Sequence, residues 1–372
     1  MKLTQRWQHE LESLNEQGRF RTLAPPAGLD FSSNDYLGYS KRVWPARQEL
    51  RSGTASRLLR GQHPVWEQVE AQLAAWHGAD AALMFTSGYA ANEGLLSTVI
   101  QPGDTVFSDQ YNHASIIDGL RLSGADKAIF AHNDMNQLEG LMNEKSIRRD
   151  AGAAWFVVTE SLFGMEGDRA PLRELATLAE RHEAHLIVDE AHATGCFGPT
   201  GSGLVDALGL RERVLATIHT GGKALAVPGA YLAGSRLLKD WLVNRCRHFI
   251  FTTALAPALG AWWLDMLELV RADAGTRQRL HHNAGRFRSI LGERGIDVSG
   301  TDYLVSLMIG RDAPAVDAAR RLQASGFDIR AIRPPTVPAG TARLRISIHA
   351  DHELDSLSAL SAALAPTILE SA

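Results

Sequence analysis

HLIVDEAHATG, residues 185–195, is the stretch on which the fold turns. Leu186, Ile187 and Val188 run without polar alternation and end on Asp189. That is the pattern of a strand buried on both faces, and such strands belong to parallel sheets covered by helices. The same texture repeats outward in AALMF (81–85), TVFSD (105–109), KAIFA (127–131), WFVVTE (155–160), VLATIHT (214–220) and GAYLAG (229–234). Helical patterns separate these runs, for example PLRELATLAERHEA (171–184), where Pro171 suits a first-turn position. The expectation is an α/β fold: a mostly parallel seven-stranded sheet with helices on both faces.

Past an apolar helix at 254–272 the texture changes to helix (275–294), strand YLVSLMIG (303–310), helix (313–325), strand DIRAI (328–332), strand RLRISIH (343–349) and helix (352–365). This order predicts a smaller α+β C-terminal domain. The expected division is an N-terminal segment at 1–45, a large α/β domain at 46–265 and the C-terminal domain at 266–372. RPPTVPAGTAR (333–343), rich in Pro and Gly, reads as an irregular loop between the last two strands.

Charge narrows the partners. Against 42 Asp plus Glu stand 38 Lys plus Arg, a formal net charge of −4 with the signs interspersed, which disfavours nucleic acid and anionic membrane as partners. No apolar run approaches the roughly 20 residues that cross a bilayer, and the N-terminal MKLTQRWQHELESLNEQGRF has helical spacing rather than the apolar core of a signal peptide. Cys196 and Cys246 are too few for a disulfide framework. A cytoplasmic protein acting on small molecules is expected.

Ligands of parallel α/β sheets bind beyond the carboxyl ends of the strands. Four such ends carry polar groups: TSGYAANEG (86–94), YNHASIIDG (111–119), VDEAHATG (188–195) and HTGGKA (219–224). Ser87 and Gly88 present amides at a helix start, which suits an anion, although a tight strand-to-helix turn alone would also want Gly88. Nucleotide fingerprints fail: Thr217 stands where a Walker glycine would be, Ala224 follows Lys223, and glycines 195, 198, 201 and 203 do not space as GxGxxG. Asp189 ends an apolar strand and needs a cation or donor, whether a bound one or a simple cap or ion-pair partner. His113, Asp189, Glu190 and His192 match no HExxH or CxxC spacing, so no metal is expected. Lys223 follows a strand and two glycines; desolvation there makes a lysine an amine nucleophile, whereas most lysines are solvated surface groups. An amine nucleophile, an anion cradle, a buried acid and a ring-stacking histidine form the set that pyridoxal phosphate requires.

At these residues the sequence resembles the α-oxoamine synthase branch of the fold-type I pyridoxal phosphate enzymes, over nearly the whole chain. The motifs are FSSNDYLG (31–38), SRLLRG (56–61), FTSGYAANEGLL (85–96), DQYNHASIIDG (109–119), IVDEAHATG (187–195), TGGKA (220–224) and RPPTVPAGTARLR (333–345). The last resembles most closely the member that condenses L-alanine with a pimeloyl thioester in biotin biosynthesis. The resemblance implies Lys223 as the Schiff-base lysine and later base, Asp189 as partner of the pyridine nitrogen, His113 stacked on the ring and His192 bonded to the ring hydroxyl oxygen. It implies Gly88 and Tyr89 as cofactor contacts and Thr220 at the phosphate, completed in a homodimer by Thr252 from the other subunit. For the substrates it implies Arg333 at the amino-acid carboxylate with Thr336 nearby, Asn34 lining the site, and Arg21 at the acyl group, with Arg19 an alternative. The partners implied are L-alanine and pimeloyl-CoA or pimeloyl-ACP; the products are an amino-oxo acid, carbon dioxide and the free thiol carrier. Two departures stand out: Gly164 replaces a serine common in the family, and the stretch from Arg21 to Phe31 is short. Competing readings are a sibling synthase using glycine with an acetyl or succinyl thioester, an aminotransferase, and a non-catalytic binding module.

Overall fold

The structure, a computed structural model, describes residues 3–21, 25–43, 50–147, 149–150 and 152–369. Seven strands form the main sheet: β1 (Ala81–Phe85), β2 (Thr105–Asp109), β3 (Asp126–Phe130), β4 (Trp155–Glu160), β5 (Ala184–Asp189), β6 (Ala216–Thr220) and β7 (Ala230–Gly234), in the order β1-β7-β6-β5-β4-β2-β3. Burial explains the lack of alternation in the sequence, since every residue of β1, β2 and β4 is buried. Pairing is parallel except around β7, which runs against both β1 and β6. The connection 221–229 is shorter than the dozen or so residues a parallel crossover needs, so β7 must turn back.

That reversal sets the geometry of the site edge. Phe85 of β1 pairs with Ala230 of β7, which pairs with Thr220 of β6, so β1 and β6 end at the same level. Glu160 of β4 and Asp189 of β5 are likewise in register. Two helices, α1 (Gly88–Val99) and α2 (Ala114–Ser123), start directly after β1 and shortly after β2. They approach closely because Gly119 has no side chain; a Cβ there would lie 3.1 Å from Asn92 O and Glu93 Cα. Beneath them Leu95, Leu96, Ile116 and Leu120 join Val106, Val158, Ile187, Ile218 and Leu232 of the sheet in one apolar core. The helix expected at 171–184 spans Leu172–Arg181, with Pro171 at its N-cap, one position ahead of the first turn.

The chain divides into two compact units, one of 37–163 and 169–277, the other of 1–36, 164–168 and 278–372. The division expected at 265/266 falls inside the helix Pro257–Ala272, and that at 45/46 lies outside the described residues. The second unit contains an antiparallel sheet of β8 (Leu304–Gly310), β9 (Arg330–Ile332) and β10 (Ala342–Ser347), in the order β9-β10-β8. The run DIRAI splits: Phe327–Asp328 pairs in parallel with Leu29–Asp30, while Arg330–Ile332 pairs with β10. Among the described residues no helix is long and apolar enough to cross a membrane.

Candidate active site

Lys223 stands three residues beyond the end of β6, half-buried, with Nζ 2.8 Å from Nε2 of the buried His192. Asp189, the last residue of β5, is buried at 5% exposure. Its Oδ1 accepts from Ala191 N at 2.8 Å and its Oδ2 from Asn92 Nδ2 at 2.6 Å. Asn92 also donates to Ser115 Oγ at 3.1 Å, and that hydroxyl lies 2.8 Å from His113 Nδ1. One chain of contacts therefore joins the starts of α1 and α2 to the end of β5. His113 senses both charged groups of the site: its basicity is lowered first by desolvation, is raised by the Asp189 carboxylate and lowered again by Lys223. Lys223, His192, Asp189 and His113 thus gather as the sequence suggested.

The start of α1 has the features that suit an anion. Ser87 is its N-cap, its Oγ accepting from Ala90 N at 3.1 Å, and the first turn holds no acidic residue. First-turn amides lack intrahelical acceptors and carry the positive end of the helix dipole. Opposite them is Thr220: a Cβ on Gly88 would lie 3.6 Å from Thr220 Cβ and 3.7 Å from its Oγ1. Tyr89 is exposed, bonds Asp118 through its hydroxyl and sets its ring edge-on to His113 at 6.2 Å. Thr252 borders a small pocket with Arg57, Trp66 and Thr86. A carboxylate held by two donors suits a protonated ring nitrogen, a lysine amine suits an aldehyde, and an acid-free helix start suits a phosphate. The donor set thus fits pyridoxal phosphate.

Asn34, Arg333, Thr336 and Arg21 belong to the other unit. Arg333 donates through Nη1 to Gly18 O, and its carbonyl accepts from Thr336 N at 3.0 Å. Arg19 is engaged by Asp312 and by Gln17 Oε1, whereas Arg21 is exposed and acts on Arg333 as a like charge. The basicity of Arg333 is lowered by desolvation, then by Arg21, against the attraction of Asp312. Asn34 Oδ1 accepts from Tyr36 Oη at 2.9 Å and from Arg345 Nη2 at 2.8 Å.

Sequence reasoning missed Asn92 and Ser115, which carry the contacts between Asp189 and His113. The signal was available: Asn92 lies four residues after Gly88, one helical turn above the cradle. Glu190 was weighed only as a metal ligand. It is buried, its Oε1 accepts from Leu204 N at 2.7 Å and Val205 N at 3.1 Å, and burial pushes its carboxyl up to about 7. A cavity of about 240 Å³ borders Glu190, His77, Asp206, Arg211 and Thr217, and includes none of Lys223, His192, His113 or Gly88.

Comparison with known proteins bears on this arrangement. The family model for aminotransferase class I and II matches residues 26–364. An 8-amino-7-oxononanoate synthase from Anaeromyxobacter dehalogenans is 42% identical, the match covering 96% of this chain and 94% of the relative. One from Geobacter sulfurreducens is 41% identical, covering 96% of each. Among solved structures, a serine palmitoyltransferase from S. paucimobilis with bound PLP superposes at a TM-score of 0.90 and 26% identity, over 100% of this chain and 99% of that one. An 8-amino-7-oxononanoate synthase from Francisella tularensis superposes at 0.77 and 26% identity, over 92% and 98%. The chain belongs to the aminotransferase class I and II family, in its pyridoxal-phosphate-dependent 8-amino-7-oxononanoate synthase branch.

Proposed function

We infer that the chain makes 8-amino-7-oxononanoate for biotin biosynthesis by decarboxylative condensation of L-alanine with a pimeloyl thioester, carried on CoA or on acyl carrier protein. The observation that carries the assignment of roles is the Lys223 Nζ to His192 Nε2 distance of 2.8 Å beside a buried Asp189. Pyridoxal phosphate, when bound, supplies the electron sink that stabilises negative charge at the amino-acid Cα. The protein supplies placement and proton transfer. Asp189, kept in place by Asn92 and Ala191 N, would hold the pyridine nitrogen of the bound cofactor and keep it protonated. His192 accepts from or donates to the Lys223 amine, so that Lys223 can take the Cα proton and return it. His113 offers a planar face held through Ser115. The amides of Gly88 and Tyr89 with Thr220 bind phosphate. Arg333 keeps donors beyond the one spent on Gly18 O and takes the alanine carboxylate with Thr336 and Asn34. Arg21 is the arginine for the acyl substrate, because Arg19 is already engaged by Asp312.

A cytoplasmic homodimer completes the reading, with Thr252 of the partner subunit closing each phosphate site. The support is local: Phe251 beside Thr252 is 70% exposed and Leu59 76%, apolar surface that association would cover. Incubation of the holoenzyme with L-alanine and pimeloyl-CoA should yield carbon dioxide and a product of the expected mass, with glycine a poor substitute. Release of no carbon dioxide, or an α-keto acid as the product, overturns the assignment. Borohydride reduction and peptide mapping should place the label on Lys223 and on no other lysine.

A further inference from the structure

The segment that carries Thr252 is clamped from two sides. On one side lies SRLLRG (56–61): Ser56 bridges Thr253, and Ala254 N donates to Ala55 O at 2.9 Å. Glycines make the room, since a Cβ on Gly53 would lie 2.4 Å from Ala254 O and one on Gly61 2.7 Å from Ala254 Cβ. On the other side lies α1, where a Cβ on Gly94 would lie 2.8 Å from Cys246 Sγ and 3.1 Å from His248 Cβ. His248 belongs to the short helix Arg247–Ile250, just ahead of Thr252, and its Nε2 is 2.9 Å from Glu93 Oε2 of α1. An ionised carboxylate only accepts, so Nε2 carries the hydrogen of this bond. His248 Nδ1 is buried with no partner among the described residues, which leaves Glu93 as the polar anchor of the ring. Phe249 holds the turn by packing: it is 7% exposed, meets Phe85 edge-on at 6.1 Å and lies under the Arg57 guanidinium at 5.5 Å. The His248–Glu93 pair, with side chains 26% and 22% exposed, therefore adds direction more than stability.

We propose that His248 is a positioning residue that acts across the dimer: bonded to Glu93, it fixes the Thr252 segment to α1 of its own chain and so presents Thr252 to the phosphate site of the partner subunit. The proposal rests on the reading that Thr252 closes that site. Leu95 and Leu96 root α1 in the apolar core, so loss of the pair frees the Thr252 segment rather than the helix. Thr252 is half-buried between the exposed Phe251 and Thr253, and its hydroxyl is placed by the backbone that carries it. Each chain then joins its own phosphate site, at the start of α1, to that of its neighbour.

The test uses heterodimers of two differently tagged full-length chains, titrated with pyridoxal phosphate and followed by the absorbance of the covalently attached cofactor. One chain carries Lys223→Ala, so only the other chain's site reports, and the Lys223→Ala chain lends that site its Thr252. His248→Ala on the lending chain should raise the Kd of the reporting site about three- to tenfold, the range of one hydrogen bond. On the reporting chain the same substitution should change Kd by less than about twofold. Glu93→Ala on the lending chain should reproduce the loss and add nothing to it in the double variant. His248→Gln, whose amide can still donate to Glu93, should recover most of the affinity. The melting temperature of His248→Ala should stay within a few degrees of wild type, because Phe249 remains packed. Equal effects from the two placements, or a loss that Glu93→Ala does not reproduce, overturn the proposal. Should His248→Ala fail to fold, Glu93→Ala in the two placements decides. Thr252→Ala on the lending chain separates the two readings. If it leaves Kd unchanged, the assignment of Thr252 to the partner's site falls and the proposal with it; if it weakens binding while His248→Ala does not, only the role of His248 falls.

Discussion

At residue scale, neighbouring acids at the end of β5 do different work. Asp189 accepts from Asn92 and from a backbone amide and stays at the site; its replacement by Asn keeps the shape and removes the charge. With the proposed role of Asp189 at the cofactor's ring nitrogen, Asp189→Asn should retain the wild-type melting temperature within a few degrees and lose about a hundredfold or more in kcat, measured by product formation, because the carboxylate charge is gone. Glu190 is a folding residue with a pH signature. Between about 4.5 and about 7 the folded chain holds the Glu190 proton and the unfolded chain has released it. Folding then takes up a proton, and the contribution of this group to stability declines as pH rises through that window. Glu190→Gln should remove that decline in denaturant titrations compared across pH 4.5 to 7, while a parallel pair of curves would refute the assignment. His77 and His219 act in the opposite sense. Burial holds His77 down to about 3 and His219 well below its ordinary value, so they cost stability as pH falls beneath the usual histidine range. Comparison of Glu190→Gln with wild type cancels their contribution.

At the scale of elements, two glycines show what a Cβ would do. Gly203 lies at φ 117° before the short helix Leu204–Ala207, and a Cβ there would approach Glu190 Oε2 to 2.3 Å. Gly203→Ala should destabilise by about 2 to 4 kcal/mol, read from urea midpoints, because backbone strain and overpacking add. Gly88 is different: its substitution meets only ordinary contact with Thr220 at 3.6 Å. Gly88→Ala should fold with unchanged urea midpoint yet bind pyridoxal phosphate more weakly, since the methyl occupies the cradle; cofactor titration followed by absorbance checks this. The elements themselves were largely legible. β1, β2 and β4 match the expected runs residue for residue, because strands buried on both faces must be apolar throughout. DIRAI was read as one strand and is two, since its halves pair with different partners, which no local pattern encodes.

For the whole molecule, cofactor and fold are linked. A ligand that binds only the folded chain stabilises it by about 2.7 kcal/mol at a hundredfold excess over Kd. Pyridoxal phosphate should therefore raise the melting temperature in a concentration-dependent way, and Lys223→Ala should reduce that rise by removing the covalent attachment; an equal rise in both would place the attachment elsewhere. The sequence by itself determined the α/β class, the strand runs, and which side chains gather at the strand ends, because burial on both faces and the position of polar groups after apolar runs are local properties. Lys223, His192, Asp189 and His113 were readable for that reason. Only the tertiary structure decided the reversal of β7 that levels Phe85 with Thr220, the pairing of Asp189 with Asn92 across 97 residues, and the engagement of Arg19 by Asp312. Those are contacts between segments distant in the chain, fixed by how helices and strands pack, and the energy of a hydrogen bond depends on where its partner ends up rather than on where it lies in the sequence.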